Sequence, residues 1–283
     1  MTSPRNGPSA EPFFLKSGEG QRFCLFHRPE GACRGAILYV HPFAEELNRS
    51  RRMAALQARA FAALGYGVLQ IDLYGCGDSS GDFGDARWDL WKQDLGAGAA
   101  WLQQRLGQPV TLWGLRLGAL LALDYARGAA HPVDAMILWQ PVLSGSTCLT
   151  QFLRLRMANA MLAEAGTVHT DTRALREALR AGETLEIGGY DLAPPLAAAL
   201  DAIDPPEAMA PACPVHWIEA VNGASQSLPA AAARVSAEWQ RQGVDLHFHA
   251  VPCPPFWTTA EITVSPAWIG ATSDALRVSA HEC

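Results

Sequence analysis

Charge is scarce in this chain. Of its 283 residues 18% are charged, below the usual quarter, while 49% are hydrophobic. That balance excludes disorder throughout. The length suffices to bury a sizeable core, as one large α/β domain or two small ones. Positive charge is in deficit as well: a net charge of −6 leaves no basic field for a phosphate backbone, so nucleic acid is not an expected partner. Cysteine is too sparse for a disulfide scaffold. Cys24, Cys33, Cys76, Cys148, Cys213, Cys253 and Cys283 are odd in number and show no CxxC spacing, which sets aside zinc-finger and iron–sulfur readings. Reduced thiols in a cytoplasmic protein are expected. Long apolar runs are missing too. The N-terminal stretch MTSPRNGPSAEP has no apolar region, so no signal peptide is expected. Residues 135–153 are interrupted by Gln140, Pro141, Ser144, Gly145 and Gln151 and read as strand and loop, not a membrane span. No His-x-x-x-His or EF-hand spacing occurs, and Asp78 and Asp82 sit against glycine turns, so neither metal nor cofactor is expected.

What is present is an alternation. Residues 1–10 read as a flexible tail and Phe23–Phe26 as a first strand. Ala36–Val40 is a short apolar run that reads as a buried strand. Asn48 or Ser50 can cap the helical pattern Met53, Leu56, Ala60, Phe61, Leu64, which Gly65 stops. Strands at 67–71, 109–113 and 133–139 alternate with helices at 88–106 and 119–126, which implies a parallel sheet with helices on both faces. The pattern breaks at Gln140. Residues 143–207, with a partly amphipathic helix at 150–165, an extended piece at 182–189 and a short helix at 196–203, read as a cap between core segments 11–142 and 208–283. The alternation resumes with a strand at 214–218, a helix at 229–241 and a strictly alternating strand at 244–251; 257–262 and 265–275 are expected to close the sheet.

The sharpest local feature is Trp113-Gly-Leu-Arg-Leu-Gly-Ala119, a strand running through Gly-x-Arg-x-Gly into an apolar helix. Glycines two before and two after Arg116 permit a tight turn that lifts its side chain above the sheet edge at a helix N-terminus. His41-Pro-Phe43 follows the early strand, and Asp72-Leu-Tyr-Gly-Cys-Gly-Asp-Ser-Ser-Gly follows the next. Together these segments, in this order, resemble the α/β-hydrolase superfamily over roughly residues 20–270. The resemblance implies a mostly parallel eight-stranded sheet with helices on both faces and a small cap. More narrowly, His41-Pro-Phe-Ala-Glu-Glu-Leu-Asn, Gly114-Leu-Arg-Leu-Gly-Ala, Leu185-Glu-Ile-Gly-Gly-Tyr190 and Pro255-Phe-Trp257 are similar to the exosortase A system-associated hydrolase 2 family. That likeness implies a bacterial setting of exopolysaccharide production and PEP-type protein sorting.

Each position of a Ser-His-Asp triad is altered. The nucleophile position holds Arg116, which stays cationic and cannot attack. The acid position falls near Asn222 or Gly223, neither a carboxylate, with Glu219 close by. The base position, residues 252–258, holds Cys253, Phe256 and Trp257 but no histidine; His247 and His249 lie inside the preceding strand and share a face with Asp245 and Val251. His41, Glu219, His247, His249 and Cys253 remain weak catalytic candidates. A serine mechanism is not expected. The oxyanion donors persist, as the N–H groups of Leu117 and Phe43. Arg116 beside them reads either as an anion-binding group or as one half of an internal ion pair with Glu45, Glu46 or Glu219, with Trp257 at the mouth. His41 is expected to brace the oxyanion loop, Asp72 to accept backbone N–H bonds, Cys76 to be buried, and Tyr190 to face the pocket beside a diglycine bend.

Three functions fit. The first is a hydrolase-like protein without the triad that binds an acyl, glycan or anionic ligand. The second is an atypical ester or thioester hydrolase or acyl transferase. The third is a non-catalytic interaction protein, with a protein partner or second copy docked through the cap.

Overall fold

β-branched and aromatic residues build the sheet, and glycines and prolines punctuate it. In the computed structural model residues 10–162, 171–221, 228–259 and 261–278 are described. The elements are β1 (Ala10–Lys16), β2 (Gln21–His27), β3 (Gly35–Val40), α1 (Glu45–Ala63), β4 (Tyr66–Ile71), α2 (Trp88–Leu106), β5 (Val110–Leu115), α3 (Leu117–Arg127) and β6 (Val133–Trp139). They continue with α4 (Gly145–Leu162), α5 (Thr172–Arg180), β7 (Leu185–Ile187), β8 (Tyr190–Leu192), α6 (Pro194–Ala202), β9 (Val215–Val221), α7 (Ala230–Arg241), β10 (Leu246–Pro252) and α8 (Pro266–Val278).

Eight strands form one sheet in the order β1-β2-β4-β3-β5-β6-β9-β10. β1 and β2 pair antiparallel, β2 meets β4 antiparallel, and the remaining pairings are parallel. Parallel strands covered on both faces must be apolar on both sides. β3 and β5 accordingly bury every residue. One face packs against α2, α3 and α7 through Trp91, Leu95, Leu120 and Trp239. The other packs against α1 and α8 through Met53, Phe61 and Trp268, around an aromatic group of Trp113, Trp139 and Phe256.

Several expected boundaries move. Ala10 already lies in β1, so the first strand is not 23–26. Pro12 sits inside β1 and removes one ladder donor, which is tolerated because β1 is an edge strand with β2 as its neighbour. α1 starts at Glu45 with Ala44 as its N-cap, ahead of Asn48 and Ser50; the Ser50 hydroxyl instead donates back to Glu46 O at 2.7 Å. The described residues of 257–262 and 265–275 add no strand. Pro266 opens α8, which packs across α1 and β10.

Between β6 and β9, which pair directly, the chain departs to form α4, α5, the β7–β8 hairpin and α6. α4 packs on α6 and runs past the end of α3, so the insertion lies over the C-terminal edge of the sheet. Among the described residues, no helix is long and apolar enough to cross a membrane.

Candidate active site

The elbow sits where β5 hands over to α3. Close backbone approach demands its glycines. A Cβ on Gly114 would stand 2.5 Å from Ala119 Cα, and one on Gly118 would stand 2.3 Å from Val40 O and 2.4 Å from His41 O. Between them Arg116 takes φ 56° and ψ −118°, a region an L side chain enters at a cost of about 1–3 kcal/mol. Neighbours hold it there: Arg116 N donates to Trp139 O at 2.9 Å, and Arg116 O accepts from Ala119 N at 3.1 Å and Val142 N at 3.2 Å.

Of the three carboxylates expected as partners, Glu46 is the one engaged. Arg116 Nε donates to Glu46 Oε1 at 3.2 Å. Both side chains keep about a sixth of their surface exposed, at 18% and 17%, so the pair is not the fully buried one the sequence suggested. Burial raises the Glu46 pKa, and Arg116 opposes the shift. The guanidinium also lies over the Trp257 ring, 5.6 Å from its centroid. Its terminal nitrogens donate to no other described residue. They border a cleft of about 150 Å³ lined by Phe43, Glu45, Glu46, Arg116, Cys148, Gln151, Phe152, Leu155 and Thr258.

Glu219 feels the charge of Arg116 but forms its hydrogen bonds to other side chains. It lies within β9, is 4% exposed, and uses both oxygens: Trp217 Nε1 donates to Oε2 at 2.7 Å and Gln140 Nε2 donates to Oε1 at 2.8 Å. Gln140 Oε1 accepts from Ala220 N at 2.7 Å. The cluster ties the ends of β6 and β9 together, with each Glu219 oxygen accepting one side-chain hydrogen bond. Burial raises its pKa ahead of the opposing Trp217 and Gln140 bonds. Asn222 and Gly223 lie outside the described residues.

The histidine candidates are also set apart from the elbow. His41 is buried beneath the loop; its Nδ1 donates to Pro42 O at 2.7 Å, and its Nε2 accepts from Leu73 N at 3.2 Å. Both ring nitrogens are therefore committed to bracing backbone. His247 is the second residue of β10, at the end of the sheet opposite the elbow, about 16 Å along the strand from Pro252. His249 lies mid-strand and faces His216, not the cleft. Cys253 is buried and donates to Pro254 O at 3.2 Å, and burial raises its thiol pKa. His247 and His249 lie back along β10, away from the C-terminal edge, while Cys253 follows the end of β10 and is buried in the cluster with Phe256 and Trp268.

The N–H groups of Phe43 and Leu117 donate to no other described residue. Both residues border a void of about 10 Å³ under the elbow, room for about one water. Asp72 accepts from Asp78 N at 3.1 Å and from Arg51 Nη2 at 3.2 Å. Cys76 is buried, which pushes its thiol up. Tyr190 stacks edge-on against Phe83 at 5.0 Å and borders a separate cleft with Arg51 and Gly75, so it does not face Arg116. Sequence reasoning missed Cys148, Gln151, Phe152 and Leu155, which α4 lowers onto the elbow. It also missed Arg49, whose Nη1 donates to Thr258 O at 2.9 Å and ties α1 to the loop after β10. The weak amphipathic pattern of α4 gave no signal of which face turns inward.

A strand-to-helix elbow with a positive-φ central residue, at the C-terminal edge of this sheet, is the nucleophile site of α/β hydrolases. Residues 31–187, more than half the chain, match the model of the serine aminopeptidase S33 hydrolases. The chain belongs to that family. Its fold is similar to that of Est1E from Butyrivibrio proteoclasticus, solved with ferulic acid bound: TM-score 0.68, 14% identity, 95% of this chain and 98% of the other covered. A thermostable carboxyl esterase from Bacillus coagulans is similar at TM-score 0.59, 16% identity and 86% and 90% coverage. Mouse alpha/beta hydrolase domain-containing protein 10 is similar at TM-score 0.60, 15% identity and 96% and 99% coverage. No curated relative matches the chain by sequence. This S33-family chain thus keeps the elbow backbone of its family while presenting a guanidinium there.

Proposed function

We propose that this S33-family protein has no serine-hydrolase activity and binds, at the elbow, a small carboxylate that carries an apolar or aromatic tail. The observation that carries this reading is the way Arg116 is held. Glu46 takes Nε and Trp257 takes the ring face, which leaves the terminal nitrogens at the cleft as a two-pronged donor suited to a carboxylate. Phe43, Phe152 and Leu155 offer the apolar wall. The strained backbone at Arg116 supports a retained role, since no nucleophile remains there to require it. Two glutamates share the cleft with one arginine, so binding of a monoanion strengthens as pH falls toward the raised pKa of Glu46.

Thiol-based acyl transfer finds less support. Cys148, the thiol in the cleft, is pushed up to about 12, chiefly by burial, and no described imidazole lines the cleft with it. The narrower likeness of the sequence motifs is the support for an exopolysaccharide or PEP-sorting setting, in which acyl chains and acidic glycans are candidate sources of the carboxylate.

The test is calorimetric titration with octanoate and ferulate, alongside fluorophosphonate labelling and p-nitrophenyl ester turnover. Saturable binding that disappears in Arg116→Met, without serine labelling, supports the reading. Stoichiometric labelling of one serine, or titrations that Arg116→Met leaves unchanged, overturns it.

A further inference from the structure

Under α1, between it and strands β2, β3 and β4, lies a cavity of about 180 Å³ that shares no lining residue with the elbow cleft. Its wall is mostly apolar, with Phe23 and Leu25 from β2, Ile71 from β4 and Leu47 from α1. Further along, the helix offers only the methyl groups of Ala54 and Ala55, which leaves the space open. Tyr39 reaches the cavity from β3. The residue is 4% exposed, and its ring centroid stands 4.3 Å from that of Trp113. Its hydroxyl has no hydrogen-bond partner among the described residues, yet it is not one of the unpartnered polar atoms sealed from solvent. The hydroxyl therefore opens onto the cavity. Burial pushes the Tyr39 phenol up, so it stays protonated and is a donor in want of an acceptor. Asp72 lines the same space and is buried. Its Oδ2 accepts from Arg51 Nη2 at 3.2 Å and Asp78 N at 3.1 Å, while its Oδ1 accepts from no described residue.

We propose that this cavity binds a small neutral phenol, with its ring against Phe23, Leu25 and Leu47 and its hydroxyl between Tyr39 and Asp72. The ligand oxygen accepts from the Tyr39 hydroxyl, and its O–H donates to Asp72 Oδ1. Charge decides the class of ligand. Arg51 offsets Asp72, and burial lowers the pKa of His41, which adds no cation. A carboxylate or an ammonium group would enter this apolar space without a counter-ion of its own. Size decides the rest. A cavity of about 150 Å³ walled by Leu, Ile and Phe takes up benzene, so the space under α1 has room for one ring and a small substituent. An apolar wall with a few converging polar groups is the usual composition of a small-molecule site.

The experiment is ¹⁹F NMR titration of 4-fluorophenol into the full chain, with 4-fluorotoluene as the analogue that lacks the hydroxyl. We expect one saturable site that prefers the phenol. Tyr39→Phe keeps the ring and should weaken 4-fluorophenol roughly fivefold, leaving 4-fluorotoluene within about twofold. Ala55→Leu fills the cavity from a part-exposed helix position, and in a variant folded by circular dichroism it should weaken both ligands at least tenfold. No saturable binding overturns the proposal. So does equal affinity for the two ligands, or a 4-fluorophenol affinity that Ala55→Leu leaves unchanged.

Discussion

Arg116 lies beneath Trp257, its guanidinium carbon 5.6 Å from the ring centroid. The central residue of the elbow thus meets the loop that follows β10. An aromatic face over a part-shielded guanidinium contributes about 0.5–2 kcal/mol. Trp257→Phe should keep most of that contact. Trp257→Ala should cost about 3–5 kcal/mol, because the ring is buried at 5% exposure as well. Urea unfolding of the two variants separates packing from the cation contact.

Arg116→Met keeps much of the stem and removes the charge. The pair with Glu46 is only part-buried, so the expected loss is about 1–3 kcal/mol at neutral pH. A pH dependence comes with it. Glu46 holds its proton more tightly in the folded chain than in the unfolded one, and losing Arg116 strengthens that shift. The corresponding stability is full below the ordinary carboxylate range and is lost as pH rises through the raised native value. The variant should therefore fall further behind the parent at pH 8 than at pH 5. A deficit independent of pH would show that Glu46 does not titrate against Arg116.

Arg116→Ser should not restore ester turnover. No histidine among the described residues stands at the elbow, and Glu219 has both oxygens engaged. Turnover of p-nitrophenyl acetate above the parent by more than about tenfold would contradict this, since general-base assistance contributes about 10²–10⁴.

Gly118→Ala drives a Cβ into two backbone oxygens of the β3 end. Neither can swing aside as a side chain tip would. The expected loss is about 3 kcal/mol, the upper end of overpacking costs. Thermal unfolding checks it, and a loss under about 0.5 kcal/mol would mean that the elbow relaxes.

The Arg22–Asp94 ion pair, at 2.6 Å, has both side chains at most 2% exposed. Asp94 also accepts from Ser17 Oγ at 2.9 Å and Tyr74 N at 2.8 Å, so it joins β2, α2 and the loop after β4. Arg22→Met leaves that carboxylate without its cation and should cost about 3–5 kcal/mol by denaturant unfolding. Replacing Asp94 by Asn should cost less, since the amide oxygen still accepts from Tyr74 N.

Much of this architecture was legible in local patterns. Continuous apolar runs marked β3, β5 and β6, and the two glycines around Arg116 marked the elbow, because backbone sterics act over a few residues. β1 was missed since Pro12 breaks its pattern, and its pairing with β2 is what makes it a strand. The site was half legible. The absence of serine at the elbow and of histidine over residues 252–258 could be read directly, as could a carboxylate partner for Arg116. Which carboxylate could not.

The sequence by itself determined the order of elements, the turn at Gly114–Gly118 and the arginine at its centre, all consequences of spacing and side-chain chemistry. Tertiary structure alone decided that Glu46, 70 residues away, holds Arg116, that Glu219 is consumed by Gln140 and Trp217, and that α4 brings Cys148 and Phe152 to the cleft. It alone set His249 against His216 across 33 residues. Those choices depend on strand register and helix rotation, which are fixed by the packing of the whole core on both faces of the sheet and not by any residue's near neighbours.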